Sequence, residues 1–193
     1  MNYSRGELEK LGLKKIGKNV SIARSCVIIN PQYVSVGDNS RIDVFCILSA
    51  GSGGIEIGSN VHIGAGAYIF GGGGRVVLSD FCGISSKCVL YTSNDDYTQG
   101  HLTNPTVPGK FKKTESGPVI LKKHAGTGSG CVILPNVTMG TGSGAGALTL
   151  IRKDVPDYFI VAGNPPKKVA ERDRQLLEKL EREYLEYNKT EGL

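Results

Sequence analysis

The sequence predicts an all-β solenoid in which short parallel strands stack around one shared core, and three observations carry that prediction. Aliphatic residues recur at every sixth position, as in Val36, Ile42, Leu48, then Ile57, Ile63, Ile69, then Leu78, Ile84, Leu90. A small residue stands two places before many of them, including Val61, Ala67, Val119, Ala125, Val137 and Ser143. The glycine-rich runs GSGG and GGGG mark two of the slips between blocks. A period of six fits neither an amphipathic helix nor a hairpin. Residues two apart along a strand share a face, so the aliphatic and the small residue both point inward. A short unit repeated at a fixed period cannot bury its apolar face alone and must stack on its neighbours.

The elements follow in chain order. Ser4-Arg5-Gly6-Glu7 has the pattern of a capping box before Leu8 and Leu11, so residues 1–15 are expected to form a cap with a short helix. Three hexads make one triangular turn of 18 residues, and 16–33, 36–53, 57–74 and 78–95 each fit one. The count resumes at Leu121 with 121–138 and 139–156, giving about six turns over 16–166. All five cysteines (Cys26, Cys46, Cys82, Cys88 and Cys131) fall at the small inward position. Their odd number and the absence of a CxxC pair favour soft core fillers over a disulfide or metal framework. Past Pro166 the composition shifts. Leu177, Leu180, Tyr184 and Tyr187 are spaced for a helix over about 168–188, in a tail (167–193) with seven basic and seven acidic residues.

Between the fourth and fifth turns the count breaks. Leu90 to Leu121 spans 31 residues where six would do, so about 25 are inserted, roughly 93–117. The break opens with YTSNDDYTQGHLTNP, which brings together Asp95, Asp96, Tyr97, His101 and Asn104. A long loop without regular structure in a compact domain is usually functional, and this mixture suits hydrogen-bonded recognition of a polar ligand.

The remaining composition narrows the function classes. The chain of 193 residues is one domain with a net charge of +5. There is no apolar run long enough to span a membrane. The charged N-terminus MNYSRGELEK lacks the apolar run of a signal peptide, so a cytoplasmic protein is expected. No basic helix or aromatic RNA-binding signature is present, which argues against nucleic acid. The three histidines lie 39 and 23 residues apart and include no close pair, so no metal site is expected.

The segment LKKHAGTGSGCVILPNVTMGTGSGAGALTLIRKDVPDYFIVAGNPPKKVAER, from Leu121, resembles the hexapeptide-repeat acyltransferases, and the resemblance covers about residues 16–172. It implies a left-handed parallel β-helix, a homotrimer with active sites between neighbouring prisms, and acetyl-CoA as acyl donor. SNDDYTQGHLTNPTVP is similar to a subgroup acting on sugars, which includes N-acyltransferases of nucleotide-linked amino sugars and O-acetyltransferases of polysaccharides. The resemblance also places the donor along the last two turns and the tail. Pantetheine would lie beside backbone amides near Ser129 and Ala147, and the phosphates would meet Arg152, Lys153, Lys167 and Lys168. Glycines 128 to 146 would either admit it closely or serve only the tight corners.

One departure bears on mechanism. Where sugar and antibiotic O-acetyltransferases of the family carry a catalytic histidine, this chain has Ser93, Asn94 and Asp95. A hydroxyl acceptor needs a base near neutral pKa, whereas a deprotonated amine needs one less. The sequence therefore points to N-acetylation of a nucleotide-linked amino sugar in surface-glycan biosynthesis. Asp95 is expected to be the principal acidic residue and Asp96 the second, with mutual repulsion raising one of the two pKa values. His101 is the alternative base, Ser86, Asn94, Tyr97 and Asn104 are expected to contact the sugar, and Ser85 and Ser86 are candidates to donate to the oxyanion or the sugar. His62 is read as a surface turn residue, and His124 as a corner residue or a second alternative base. Thr127 either leaves a hole in the apolar ladder or hydrogen-bonds locally. The competing readings are O-acetylation of a sugar hydroxyl and a non-catalytic scaffold.

Overall fold

The computed structural model describes residues 1–191. Short parallel strands wind into a three-sided prism of six complete turns plus the first strand of a seventh. Each side is a continuous parallel sheet whose inward residues stack in register. On one side the ladder runs Ile16, Val36, Ile57, Leu78, Leu121, Met139. On the second it runs Ile22, Ile42, Ile63, Ile84, Thr127, Ala145, Val161, and on the third Ile28, Leu48, Ile69, Leu90, Ile133, Ile151. The hexad count therefore becomes three apolar columns. Strands of two to four residues have no stability alone, and the ladder of hydrogen bonds between rungs, such as Gly64 N–H to the Ile84 carbonyl at 2.7 Å, holds them.

The corners demand unusual backbone. Asn19, Asn39, Asn60, Phe81, His124 and Tyr158 all have φ between +52° and +63°, and asparagine tolerates that region best. At Gly37 the neighbouring rung leaves no room, since a Cβ would lie 2.6 Å from the Gly58 carbonyl carbon. The five cysteines are all buried and unbridged. Burial pushes the Cys26 and Cys82 thiols up to about 12, so they remain neutral. Thr127 does not leave a hole, because its Oγ1 accepts the Ser85 N–H at 3.3 Å and lies 3.3 Å from the Cys88 sulfur. Leu90 is fully buried between Ile69 and Ile133. Leu90→Ala is expected to cost about 2–5 kcal/mol, read as a lower urea midpoint at unchanged slope.

Two segments differ from the sequence expectation. The insertion is an arm with structure of its own, in which Ser93–Asp95 pairs antiparallel with Thr114–Ser116. It springs from Thr92, whose buried hydroxyl donates to the Phe70 carbonyl (2.8 Å) and accepts the Gly73 N–H (2.9 Å). At the C-terminus, the helix expected from about 168 begins at Arg174, and Lys167–Glu171 is a strand. That strand pairs antiparallel with Phe159–Ala162 and covers what would otherwise be an open sheet edge. Helix pattern alone could not register the edge that needed covering.

At the N-terminus, Arg5–Leu8 forms a short helix with the capping box in place and Leu8 buried. The C-terminal helix, Arg174–Glu191, lies along one corner of the prism. Glu178 meets Tyr158, Glu181 meets Lys123 and His124, and Tyr184 packs edge-on to Phe81 while its hydroxyl reaches Asn60 at 3.0 Å. Among the described residues no helix is long and apolar enough to cross a membrane.

Candidate active site

The arm overhangs one face of the prism and encloses a cleft of about 700 Å³. Asn94, Asp95, Asp96, Tyr97, Lys113 and Arg152 supply polar walls, and Leu134 and Leu150 supply an apolar floor. Asp95 is placed by its arm: one carboxylate oxygen accepts the Thr114 hydroxyl at 2.8 Å and the other the Asn104 N–H at 2.7 Å. Those two bonds hold its carboxyl below the usual carboxylate range, with Lys112 adding to the effect. Asp96 accepts both the hydroxyl (2.6 Å) and the N–H (2.8 Å) of Thr98 and pairs with Lys113 at 3.2 Å, which depresses it to about 2. The expected mutual repulsion is thus overturned, because both carboxyls are lowered by separate donors. Two ionised carboxylates this far down are hydrogen-bond acceptors and weak bases.

The other arm residues divide. Asn94 and Tyr97 line the cleft, Tyr97 with 72% of its surface exposed. Asn104 serves the arm itself, its side-chain oxygen accepting from the N–H and hydroxyl of Thr106. His101 is exposed on the far stretch of the arm and does not line the cleft.

A second groove, of about 380 Å³, lies on a different face. Its walls include His62, Gly83, Ser85, Gly126, Ser143 and Gly144. Ser85 lines this groove, whereas the expected Ser86 does not, and the Ser86 carbonyl is taken by the Gly130 N–H. A Cβ on Gly83 would meet nothing within 4 Å, and one on Gly126 would meet only the Gly83 carbonyl at 3.6 Å. Nothing inside the chain requires glycine there, and their bareness keeps the face flat enough for another molecule to approach the backbone. Ser143 Oγ, fully buried beside the groove, has no hydrogen-bond partner among the described residues. Along the adjoining corner, the N–H groups of Ser86, Ser129 and Ala147 make no hydrogen bond among the described residues. They are backbone donors left over at that corner.

The expected phosphate contacts also divide. Arg152 and Lys153 line a third cavity of about 530 Å³, with Pro165 and Pro166, at the end of the prism, and Arg152 belongs to the arm cleft as well. Lys168 is committed to Glu171 at 2.8 Å and lies 3.7 Å from the centre of the Phe159 ring, and Lys167 shares its strand.

Two histidines differ in placement from the expectation or are already engaged. His62 is in a strand with its side chain outward, not in a turn. His124 stands at a corner as expected, but it stacks on Phe81 at 4.8 Å and holds Glu181 at 2.8 Å, so the C-terminal helix occupies it. Among the described residues no group of three or more histidine, cysteine or acidic side chains could hold a metal ion. Sequence reasoning missed Lys113, Leu134 and Leu150. The rung register would have brought out Leu150, which stands outward beside Val132 of the preceding rung.

No family model matches the chain. It is 37% identical over 172 residues to the dTDP-4-amino-4,6-dideoxy-D-glucose acyltransferase of Escherichia coli, covering 89% of each chain. It superposes on a serine-to-cysteine variant of AntD, an N-acyltransferase from Bacillus cereus, solved with dTDP-4-amino-4,6-dideoxyglucose and coenzyme A, with a TM-score of 0.91 and 39% identity, covering 96% of this chain and 97% of that one. A further AntD structure holds dTDP and 3-hydroxybutyryl-CoA, with a TM-score of 0.90 at 38% identity over 97% of this chain and 98% of that one. AntD has also been solved with single substitutions of one serine and of one aspartate that lie ten residues apart in its chain.

Proposed function

Since the chain belongs to the hexapeptide-repeat sugar acyltransferases, as an acyl-CoA-dependent N-acyltransferase of nucleotide-linked amino sugars, we propose that it acylates the amino group of a dTDP-linked 4-amino-4,6-dideoxyhexose. The observation that carries this reading is the end-to-end similarity to an enzyme solved with that sugar nucleotide and coenzyme A. The spacing of ten recurs here as Ser85 and Asp95, and also as Ser86 and Asp96. Of these, Ser85 lines a groove, and Asp95 lines the arm cleft with a carboxylate placed by two donors.

In this reading Asp95, ionised throughout the neutral range, accepts a hydrogen bond from the sugar amine and turns its lone pair toward the thioester. Ser85 Oγ–H and the free N–H groups of the adjoining corner donate to the oxyanion as the carbonyl becomes tetrahedral. Asn94 and Tyr97 contact the sugar. Arg152 and Lys153 meet phosphates, with Lys167 and Lys168 outside the cleft as secondary candidates. Asp96 builds the arm and is a lesser candidate for contact. The acyl donor is read as acetyl-CoA, and the product as an intermediate in a surface glycan. Acyl-CoA is a donor of the cytoplasm, where the reaction is placed.

The two halves of the site lie on different faces of one prism, so the assembly is read as a homotrimer in which the arm of one copy meets the Ser85 groove of the next. An outward column of Val27, Ile47, Tyr68, Val89, Val132 and Leu150 runs down the arm's face of the prism. An unpartnered apolar face of this kind supports association.

Thiol release tests the reading, with acetyl-CoA and 3-hydroxybutyryl-CoA each set against 3-amino and 4-amino dTDP-sugars and their hydroxyl counterparts. Release with a 4-amino sugar and acetyl-CoA is expected. Release with hydroxyl sugars alone would overturn the amine assignment, and faster turnover with 3-hydroxybutyryl-CoA would overturn the acetyl assignment.

A further inference from the structure

The proposed reaction needs somewhere for a proton to go. When the sugar nitrogen bonds to the acyl carbon and the carbon–sulfur bond breaks, the nitrogen must shed a proton and the departing thiolate must gain one. Asp95 and Asp96 are ill suited to accept it, since both are held low by hydrogen bonds that build the arm. His101 does not line the arm cleft, and His124 is engaged by Glu181.

We propose that His62, oriented by Asp43, is the proton acceptor for the transfer; the inference rests on the N-acyltransferase reading above. His62 lines the same groove as Ser85. Its strand pairs directly with Gly83–Ile84, the strand that leads into Ser85, and the missing side chain at Gly83 leaves the space beside the imidazole open. Its Nε2 lies 2.8 Å from an Asp43 carboxylate oxygen. A carboxylate only accepts, so the ring donates Nε2–H to it; Arg41 Nη2, 3.1 Å from the same nitrogen, can only donate and is taken by Asp43 Oδ2 at 3.2 Å, and the Nδ1 lone pair is left free. Asp43 is itself fixed by Arg41, whose Nε lies 2.9 Å from its other oxygen. The charged groups that bear on His62 are therefore Asp43 and Arg41 from the preceding rung, and Arg172 across the groove. Such a carboxylate–imidazole pair beside a serine is how a neutral histidine is held in one tautomer with its second nitrogen aimed at a reacting group. The proton passes from the acceptor nitrogen to Nδ1 and then to the coenzyme A thiolate, so the ring ends each cycle neutral.

The test is steady-state turnover across pH with acetyl-CoA and the amino-sugar acceptor. His62→Gln is expected to lower kcat about 100-fold, within the range for removal of a general base, with KM for acetyl-CoA unchanged. His62→Ala should regain part of its rate on addition of imidazole, which a packing role would not produce. Asp43→Asn should lose about tenfold, because the ring is kept but no longer held. His62 has 48% of its side chain exposed, so these variants do not disturb the core. If His62→Gln keeps kcat within twofold and imidazole adds nothing to His62→Ala, the inference fails while the N-acyltransferase reading stands. If the wild-type protein turns over no amino sugar, both fall.

Discussion

Asp95→Asn is expected to lower kcat/KM for the amino sugar by about two orders of magnitude, the worth of a charge-assisted hydrogen bond that positions a reacting group. Two effects combine. The amide loses the negative charge that attracts the amine protons. It also cannot accept from both Thr114 and Asn104 as the carboxylate does, since one of its atoms is a donor. Thr114→Val separates the two, because it keeps the charge and loosens its placement, and a loss of about tenfold is expected. The pH profile supplies an independent check. The Asp95 carboxyl lies below the ordinary carboxylate range, so it is ionised wherever a histidine would titrate. Asp95→Asn should therefore lower turnover by the same factor at every pH in the neutral range. A factor that varies with pH would mean that Asp95 carries the proton after all, and unchanged turnover would remove it from the site.

The prism was legible because its cause is local and repeated. Each hexad supplies its own inward aliphatic residue, and the register between rungs follows once the count is kept, as the column Ile63, Ile84, Thr127 shows. The insertion was legible as an interruption, but its antiparallel arm was not. The pairing of Ser93–Asp95 with Thr114–Ser116 joins residues some twenty apart with no apolar alternation between them. Asp95 and Asp96 were found by residue type, yet their ionisation was misjudged because Thr98, Asn104, Thr114 and Lys113 converge only through the fold. The same holds for His62, where Asp43 lies nineteen residues earlier and one rung away. Reading the rungs as columns would have paired the two, because Arg41 and His62 are register partners. The strand Lys167–Glu171 was missed for a different reason, since its sequence is helix-compatible and only the exposed edge beside Phe159–Ala162 selects the extended form.

Mixing two inactive variants is expected to restore activity, which tests the arrangement of the site more sharply than any single substitution. The arm cleft with Asp95 and the groove with Ser85 share no residue and lie on different faces of the prism. In a closed ring of three copies, each site then takes Asp95 from one copy and Ser85 from its neighbour. Ser85→Ala removes the proposed oxyanion donor and Asp95→Ala the proposed amine-orienting carboxylate, so each variant alone fills every site with one defect. In random mixed trimers a site is intact when its arm comes from a Ser85→Ala copy and its groove from an Asp95→Ala copy. For an equal mixture that occurs at about one site in four, giving about a quarter of wild-type turnover after the variants are co-expressed. Size-exclusion chromatography with light scattering checks that the mixed species is a trimer. If both residues served one site within a single chain, no mixture could exceed the activity of its parents. The physical origin of the difference is the arm: an insertion of about 25 residues in a prism that otherwise counts by six carries its carboxylate out over one face. The chain's own Ser85 groove lies on another face of the prism, so the proposed site needs a second copy to bring the two together.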